Sequence, residues 1–199
     1  MPYTKPVIIE PYYDKPEWIT NAITREEFIC LSSESNEIDV ELFLILLFGY
    51  NHINIEQSFH LSFNELLEQE GVALSGGIAF FEDENKYILP SCCCGLEDIS
   101  YIIDTIIIKQ SPWMGHDPAP GITYLDDQVH VWPDDPETIE SNVNSKSIQF
   151  SYKELIDSLE KTRKEMQGFI EGPLYNWISK RDKEIASTIK DRMKQWIMR

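Results

Sequence analysis

The sequence predicts an α+β fold: a mixed or antiparallel sheet with packed helices and a helical C-terminal region. Three observations predict it. Apolar runs of strand length occur in pairs around polar turns. Segments with helical spacing lie between them without a regular βαβ alternation. From Ser151 onward the pattern is helical throughout.

Taken in order, Pro2 to Tyr13 holds Val7-Ile8-Ile9 among prolines and reads as an extended segment or edge strand, because proline is tolerated at edges. Glu27 to Leu31 reads as a short strand, and Ser32 to Asn36 as a loop. Ile38 to Tyr50 is hydrophobic nearly all round, and its length and leucines favour a buried helix. Asn36 or Ser35 caps it, and Gly49 is its expected stop. Ser62 to Glu70 reads as a helix opened by a capping box of Ser62 and Glu65, with Phe63, Leu66 and Leu67 as its apolar face.

Val72 to Glu82 and Lys86 to Pro90 flank Asp83-Glu84-Asn85 as a hairpin, with Gly76-Gly77 marking a bulge or bend. Leu96 to Lys109 carries Leu96, Ile99, Ile102, Ile103 and Ile106 at helical spacing. Ser111 to Pro120 is a loop. Gly121 to Leu125 and Gln128 to Trp132 flank Asp126-Asp127 as a second hairpin, and Pro133 to Ser147 reads as a polar linker. Ser151 and Glu154 form a capping box for a helix striped by Leu155, Ile156, Leu159 and Met166. Gly172-Pro173 is expected to break that helix. A final basic amphipathic helix is expected over Ile178 to Trp196, with Ile185, Ile189, Met193, Trp196 and Ile197 on one side.

The 199 residues suit one domain: an acidic α+β body over 1–150 and a helical segment over 151–199 packed on it. Charge divides at the same place. Residues 1–150 carry 26 acidic against 6 basic side chains, a formal −20, whereas residues 151–199 carry 8 against 11, a formal +3. Such a body repels phosphates, which argues against direct binding to nucleic acid. It attracts a basic protein and speeds the encounter. No signal peptide and no membrane-length apolar run is seen, so a cytoplasmic protein with reduced thiols is expected. The oligomeric state is not readable.

Two strings stand out as candidates for chemistry. The first is Pro90-Ser91-Cys92-Cys93-Cys94-Gly95-Leu96-Glu97, between a strand and a helix. A thiol at a helix N-terminus has a lowered pKa, which makes a nucleophile or a metal ligand. The alternative is three small residues filling a tight corner. The spacing of Cys92 and Cys94, with His116 and His130 downstream, matches no standard zinc pattern. The second string is Ser111 to Pro120, in which His116 beside Asp117 is either a base with an orienting acid or part of a rigid loop. Nothing matches a nucleophile elbow, a P-loop or an EF-hand, and no cofactor or metal is expected.

The string Leu89 to Glu97, followed by Pro112-Trp113-Met114-Gly115-His116-Asp117-Pro118 and then Val129-His130-Val131-Trp132, resembles a group of uncharacterised bacterial proteins. They carry a Cys-Cys-Cys-Gly-Leu-Glu motif and a Pro-Trp-x-Gly-His-Asp-Pro motif. The resemblance covers about residues 70–135 and marks Cys92, Cys93, Cys94, Gly95, Glu97, Trp113, His116 and Asp117 as motif residues without an assigned role. It carries no activity. In size, acidity and α+β pattern the chain is similar in type to bacterial immunity proteins, the Smi1/Knr4 class included.

The leading expectation is an acidic protein-binding module of the immunity or antitoxin kind, not an enzyme, that neutralises a basic partner such as a nuclease toxin. Its expected contact acids are Glu82, Asp83, Glu84, Asp126, Asp127, Asp134 and Asp135, because hairpin turns project them outward. The alternative is a thiol- or metal-dependent enzyme, or a zinc-binding domain, built on Cys92 to Cys94 and His116.

Overall fold

A computed structural model describes residues 1–137 and 147–198. It has the expected α+β architecture: two antiparallel sheets, with helices packed on them and a helical C-terminal region. No described helix is long and apolar enough to cross a membrane.

The first sheet has four strands. They are β1 (Tyr3–Ile9), β2 (Phe28–Cys30), β3 (Gly76–Phe81) and β4 (Tyr87–Ile88), in the order β2-β1-β3-β4. The proline-flanked β1 is therefore internal and not an edge. Its Pro6 explains how. Leu31 N–H donates to Pro6 O at 2.9 Å, but Pro6 has no N–H to return, and the β2 ladder begins only at Val7 opposite Cys30. Gly76 and Gly77 do not form a bulge. They pair in regular register with Ile8 and Val7; Gly76 lies at φ 152°, and a side chain there would strike the Val7 carbonyl.

One face of this sheet joins the main core through Ile8, Ile78 and Phe80. The other holds a small second cluster of Val7, Ala79 and Phe81 beneath Tyr3, Phe28 and Tyr87. Register puts Phe28 opposite Ile9 and Phe81 opposite Tyr3. A straight strand would separate those levels by about 20 Å. The rings are 6.1 Å apart, so the sheet curls around this face.

The second sheet has β5 (Gly121–Leu125), β6 (Gln128–Trp132) and β7 (Ile148–Ser151) in sequential order. The hairpin was expected; β7 was not. It adds a third strand directly before the last long helix, and the division at residue 150 falls inside it. Most of the expected 133–147 linker, residues 138–146, lies outside the described residues.

The helices are α1 (Glu37–Tyr50), α2 (Phe59–Leu67), α3 (Ile99–Ile107), α4 (Tyr152–Phe169), α5 (Tyr175–Ser179) and α6 (Lys183–Ile197). A 3₁₀ turn at Leu96–Asp98 precedes α3. Asn36 caps α1, accepting from Ile38 N and Asp39 N. Gly49 does not stop α1, which runs on to Tyr50. Its missing side chain instead admits the Tyr13 ring. The Ser62–Glu65 box does not form, because α2 begins one turn earlier, after Ser58. Ser62 is buried and donates to Asn54 O at 2.9 Å, while Glu65 accepts from Asn54 N and Gln57.

The Ser151–Glu154 box forms as expected. Gly172-Pro173 does not break the helix that it opens. A π turn over Ile170–Leu174 widens the coil and carries the chain into α5. A wide turn tolerates the proline because the i→i−4 ladder is already interrupted there. The break comes later, at Lys180 to Asp182, and Asp182 caps α6 by accepting from Glu184 N and Ile185 N.

Buried hydroxyls join the tail to the sheet. Thr4 N donates to Ser158 Oγ at 2.7 Å, and Thr4 Oγ1 lies 2.7 Å from Thr162 Oγ1. The Thr4 groups meet these partners only while α4 lies on β1, whereas Thr162 Oγ1 also donates to Ser158 O within its own helix.

Candidate functional site

The chain leaves β4, passes Leu89 and Pro90, and turns sharply at Ser91. Cys94 N–H donates to Ser91 O at 3.3 Å, and Cys93 sits in the turn at φ 68°. Position i+2 of such a turn normally takes glycine or asparagine, so a cysteine there is strained. After the turn the chain runs beside the entry to β3. Gly76 N donates to Cys94 O, and Leu96 N donates to Leu74 O.

This path divides the cysteine motif into two sets. Cys94 points inward and is buried, whereas Cys92 and Cys93 are exposed. Gly95 and Glu97 belong with Cys94. Glu97 Oε2 accepts from Leu74 N at 3.0 Å, and a side chain at Gly95 would collide with the Glu97 carboxyl. Burial raises the Glu97 pKa. These three residues build the corner.

Cys93 and Cys94 depart from the lowering expected of a thiol at a helix N-terminus. Burial, with Asp98 and Glu97 adding to it, pushes the Cys94 thiol up to about 12. The Cys93 thiol is also raised, by desolvation and then by its contact with Cys92. Because the folded state favours the neutral Cys94 thiol, the stability this contributes is complete below about pH 9 and is lost as pH rises towards 12. Thiol labelling of the native protein is expected to modify exposed Cys92 and Cys93 before half-buried Cys30, and Cys94 only on unfolding. Fast labelling of Cys94 would contradict the placement.

The second motif packs against the first at Ser91, which sequence reasoning did not single out. Ser91 N donates to Met114 O at 3.0 Å, and Ser91 Oγ accepts from Asp117 N at 3.3 Å. Between them Gly115 lies at φ 111°, where a side chain would stand 2.5 Å from Ser91 Cβ and 2.8 Å from Cys92 O. His116 is thereby held over the turn: its Nδ1 is 3.6 Å and its Nε2 4.0 Å from Cys92 Sγ. The Asp117–Pro118 peptide is cis.

Among the described residues, His116 and Asp117 form no hydrogen bond with each other, so the base-and-orienting-acid arrangement is not made. Trp113 is 48% exposed and lines a separate cavity of about 370 Å³ with Pro120, Ile122 and Pro136. His130 is not part of the cluster. Its Nδ1 lies 3.1 Å from Ser147 Oγ, and its ring stacks on Trp132.

Cys92, Cys93 and His116 offer ligand atoms that all lie within 4.8 Å of one another. The two cysteines also line a cavity of about 500 Å³ with Glu10, Glu27, Tyr50 and Asp117.

The expected contact acids lie mostly on exposed turns, as two groups. Asp126 and Asp127 sit at one end of β6, and Asp134 and Asp135 follow its other end. Lys86 Nζ donates to Ser147 O at 3.1 Å, which ties the Glu82–Asp83–Glu84 turn to the end that leads to Asp134. Asp83 Oδ1 accepts from Asn85 N and Lys86 N and stiffens its turn. Asp134 Oδ1 accepts from Ala119 N and Asp135 N, and these bonds hold its pKa down. Asp135 Oδ1 accepts from Glu137 N at 2.9 Å.

The chain matches no family model, no curated protein and no solved structure.

Proposed function

We propose that the chain is an acidic protein-binding module of the immunity or antitoxin kind, acting in the cytoplasm on a basic protein such as a nuclease toxin. The observation that carries the reading is where the basic tail spends its charge. Among the described residues, Lys180 pairs with Glu37, Arg163 with Asp104 and Glu160, and Lys194 with Glu171. The Glu82–Asp83–Glu84 turn is exposed, and among the described residues Lys86 alone pairs with it, at Glu82.

That turn borders a cavity of about 420 Å³ lined by Met1, Tyr3, Glu82, Asp83, Glu84 and Asn85. Carboxylates on a stiff turn meet a cationic surface without reordering, which limits the entropy lost on docking. Their field also steers the encounter. An acidic face set over the cleft of a nuclease occupies the place of phosphates. Asp126 and Asp127, at the other end of β6, stand apart from this face.

The test is co-purification with a basic toxin-domain product of an adjoining gene, followed by association rates at low and high salt. The expected on-rate falls by about tenfold or more as salt rises, and the triple variant Glu82→Gln, Asp83→Asn, Glu84→Gln loses a similar factor at low salt. Asp126→Asn with Asp127→Asn leaves the rate near wild type. An on-rate indifferent to salt, or no complex, contradicts the proposal.

A further inference from the structure

The geometry points to a zinc site made by Cys92, Cys93 and His116, with its fourth position open. Three features carry this. First, a Zn–S bond of about 2.3 Å and a Zn–N bond of about 2.0 Å at the tetrahedral angle place sulfur and nitrogen roughly 3.5 Å apart. Cys92 Sγ and His116 Nδ1 are 3.6 Å apart, and Cys93 Sγ completes a triangle with no edge above 4.8 Å.

Second, neighbouring residues of an extended chain point to opposite sides. The turn at Ser91–Cys94, with Cys93 at φ 68°, gathers the two adjacent sulfurs instead. Third, the ligands are held from the flanks. Ser91, next to Cys92, binds the backbone at Met114 and Asp117, and Gly115 lies directly against it, so both sides of His116 are tied to the turn. These contacts fix the backbone on both sides, so rotation of the His116 ring suffices to aim a nitrogen at an ion beside the two sulfurs.

Two thiolates and an imidazole select a thiophilic ion of tetrahedral habit over magnesium or calcium. Glu10, Glu27 and Asp117 around the adjoining cavity add negative potential that favours a cation. Three protein ligands leave one position for water or for a group that enters this cavity, the pattern of an open and not a closed site. Cys94 takes no part, since it is buried behind the turn. On binding, each of the two thiols gives its proton to the buffer and its sulfur lone pair to the metal; no oxidation is involved. The site stands independently of the docking surface at Glu82 to Glu84.

The experiment uses the full chain, reduced and stripped with chelator, then titrated with Zn²⁺ against a chromophoric competitor. One equivalent binds, with release of about two protons at neutral pH. Cys92→Ser, Cys93→Ser and His116→Ala each weaken binding by at least about tenfold, and Cys94→Ala retains it. The three ligand residues are exposed, so these variants keep the fold, which circular dichroism checks. Failure to bind one equivalent would overturn the site. So would binding that survives both Cys92→Ser and His116→Ala, or a folded Cys94→Ala protein that loses zinc as Cys92→Ser does.

Discussion

Gly115→Ala is expected to lower stability by about 3 kcal/mol and to separate the cysteine turn from His116. Two effects add. The residue lies at φ 111°, a conformation that costs a side-chain-bearing residue about 1–3 kcal/mol. The new methyl would also sit 2.5 Å from Ser91 Cβ and 2.8 Å from Cys92 O, and a crowded interior loses about 1–3 kcal/mol per such insertion. Backbone lies on one side of the clash, so relief requires the loop to move away from Ser91. The Ser91–Met114 and Ser91–Asp117 hydrogen bonds then lengthen, and His116 leaves Cys92. Gly172→Ala is the control: it lies at an ordinary φ with nothing within 4 Å of its added methyl. Urea unfolding of the two variants reads the difference. A Gly115→Ala midpoint equal to that of Gly172→Ala would contradict the account.

Glu41→Ala should destabilise the core by a similar amount, about 3 kcal/mol. Glu41 is 1% exposed in the second turn of α1, between buried Val40 and Leu42. Its carboxylate accepts from Asn21 Nδ2 at 3.0 Å and from Trp177 Nε1 at 3.3 Å, which links the loop before β2 to α5. Alanine leaves the buried Trp177 N–H without this acceptor, at about 1–3 kcal/mol, turns half-buried Asn21 to solvent, and opens a cavity. Glu41→Leu refills the volume but not the acceptors, so it should recover only part of the loss. The check is again the unfolding midpoint at constant m-value. A change below about 0.5 kcal/mol would show that the donors find other partners.

Periodicity and local caps made most elements readable. Asn36 and the Ser151–Glu154 box mark their helix starts because a cap acts over three residues. The β5–β6 hairpin was visible in its alternation and its Asp126-Asp127 turn. What failed depends on distant parts of the chain. Ser62 is an equally good cap by sequence, but the fold buries it against Asn54. Gly49 looks like a helix stop, yet it is small to admit Tyr13. Pro173 looks like a breaker until a π turn absorbs it. β7 carried a signal in the alternation of Ile148, Gln149, Phe150 and Ser151, too short to read beside a strong helix start. The candidate site was legible in part. Both motifs were visible, but not their convergence, because Ser91 joins them across more than 20 residues. Sequence also could not divide three identical cysteines. The turn at Cys93 does that, sending Cys94 into the core and leaving its neighbours to face His116.

X-ray absorption at the zinc edge of the loaded full-length protein tests most directly whether the two motifs form one centre. The account predicts two sulfur neighbours at about 2.3 Å and imidazole nitrogen at about 2.0 Å, with the nitrogen signature lost in His116→Ala. A first shell of oxygen and nitrogen alone, or a sulfur-rich shell unchanged by that substitution, would contradict it.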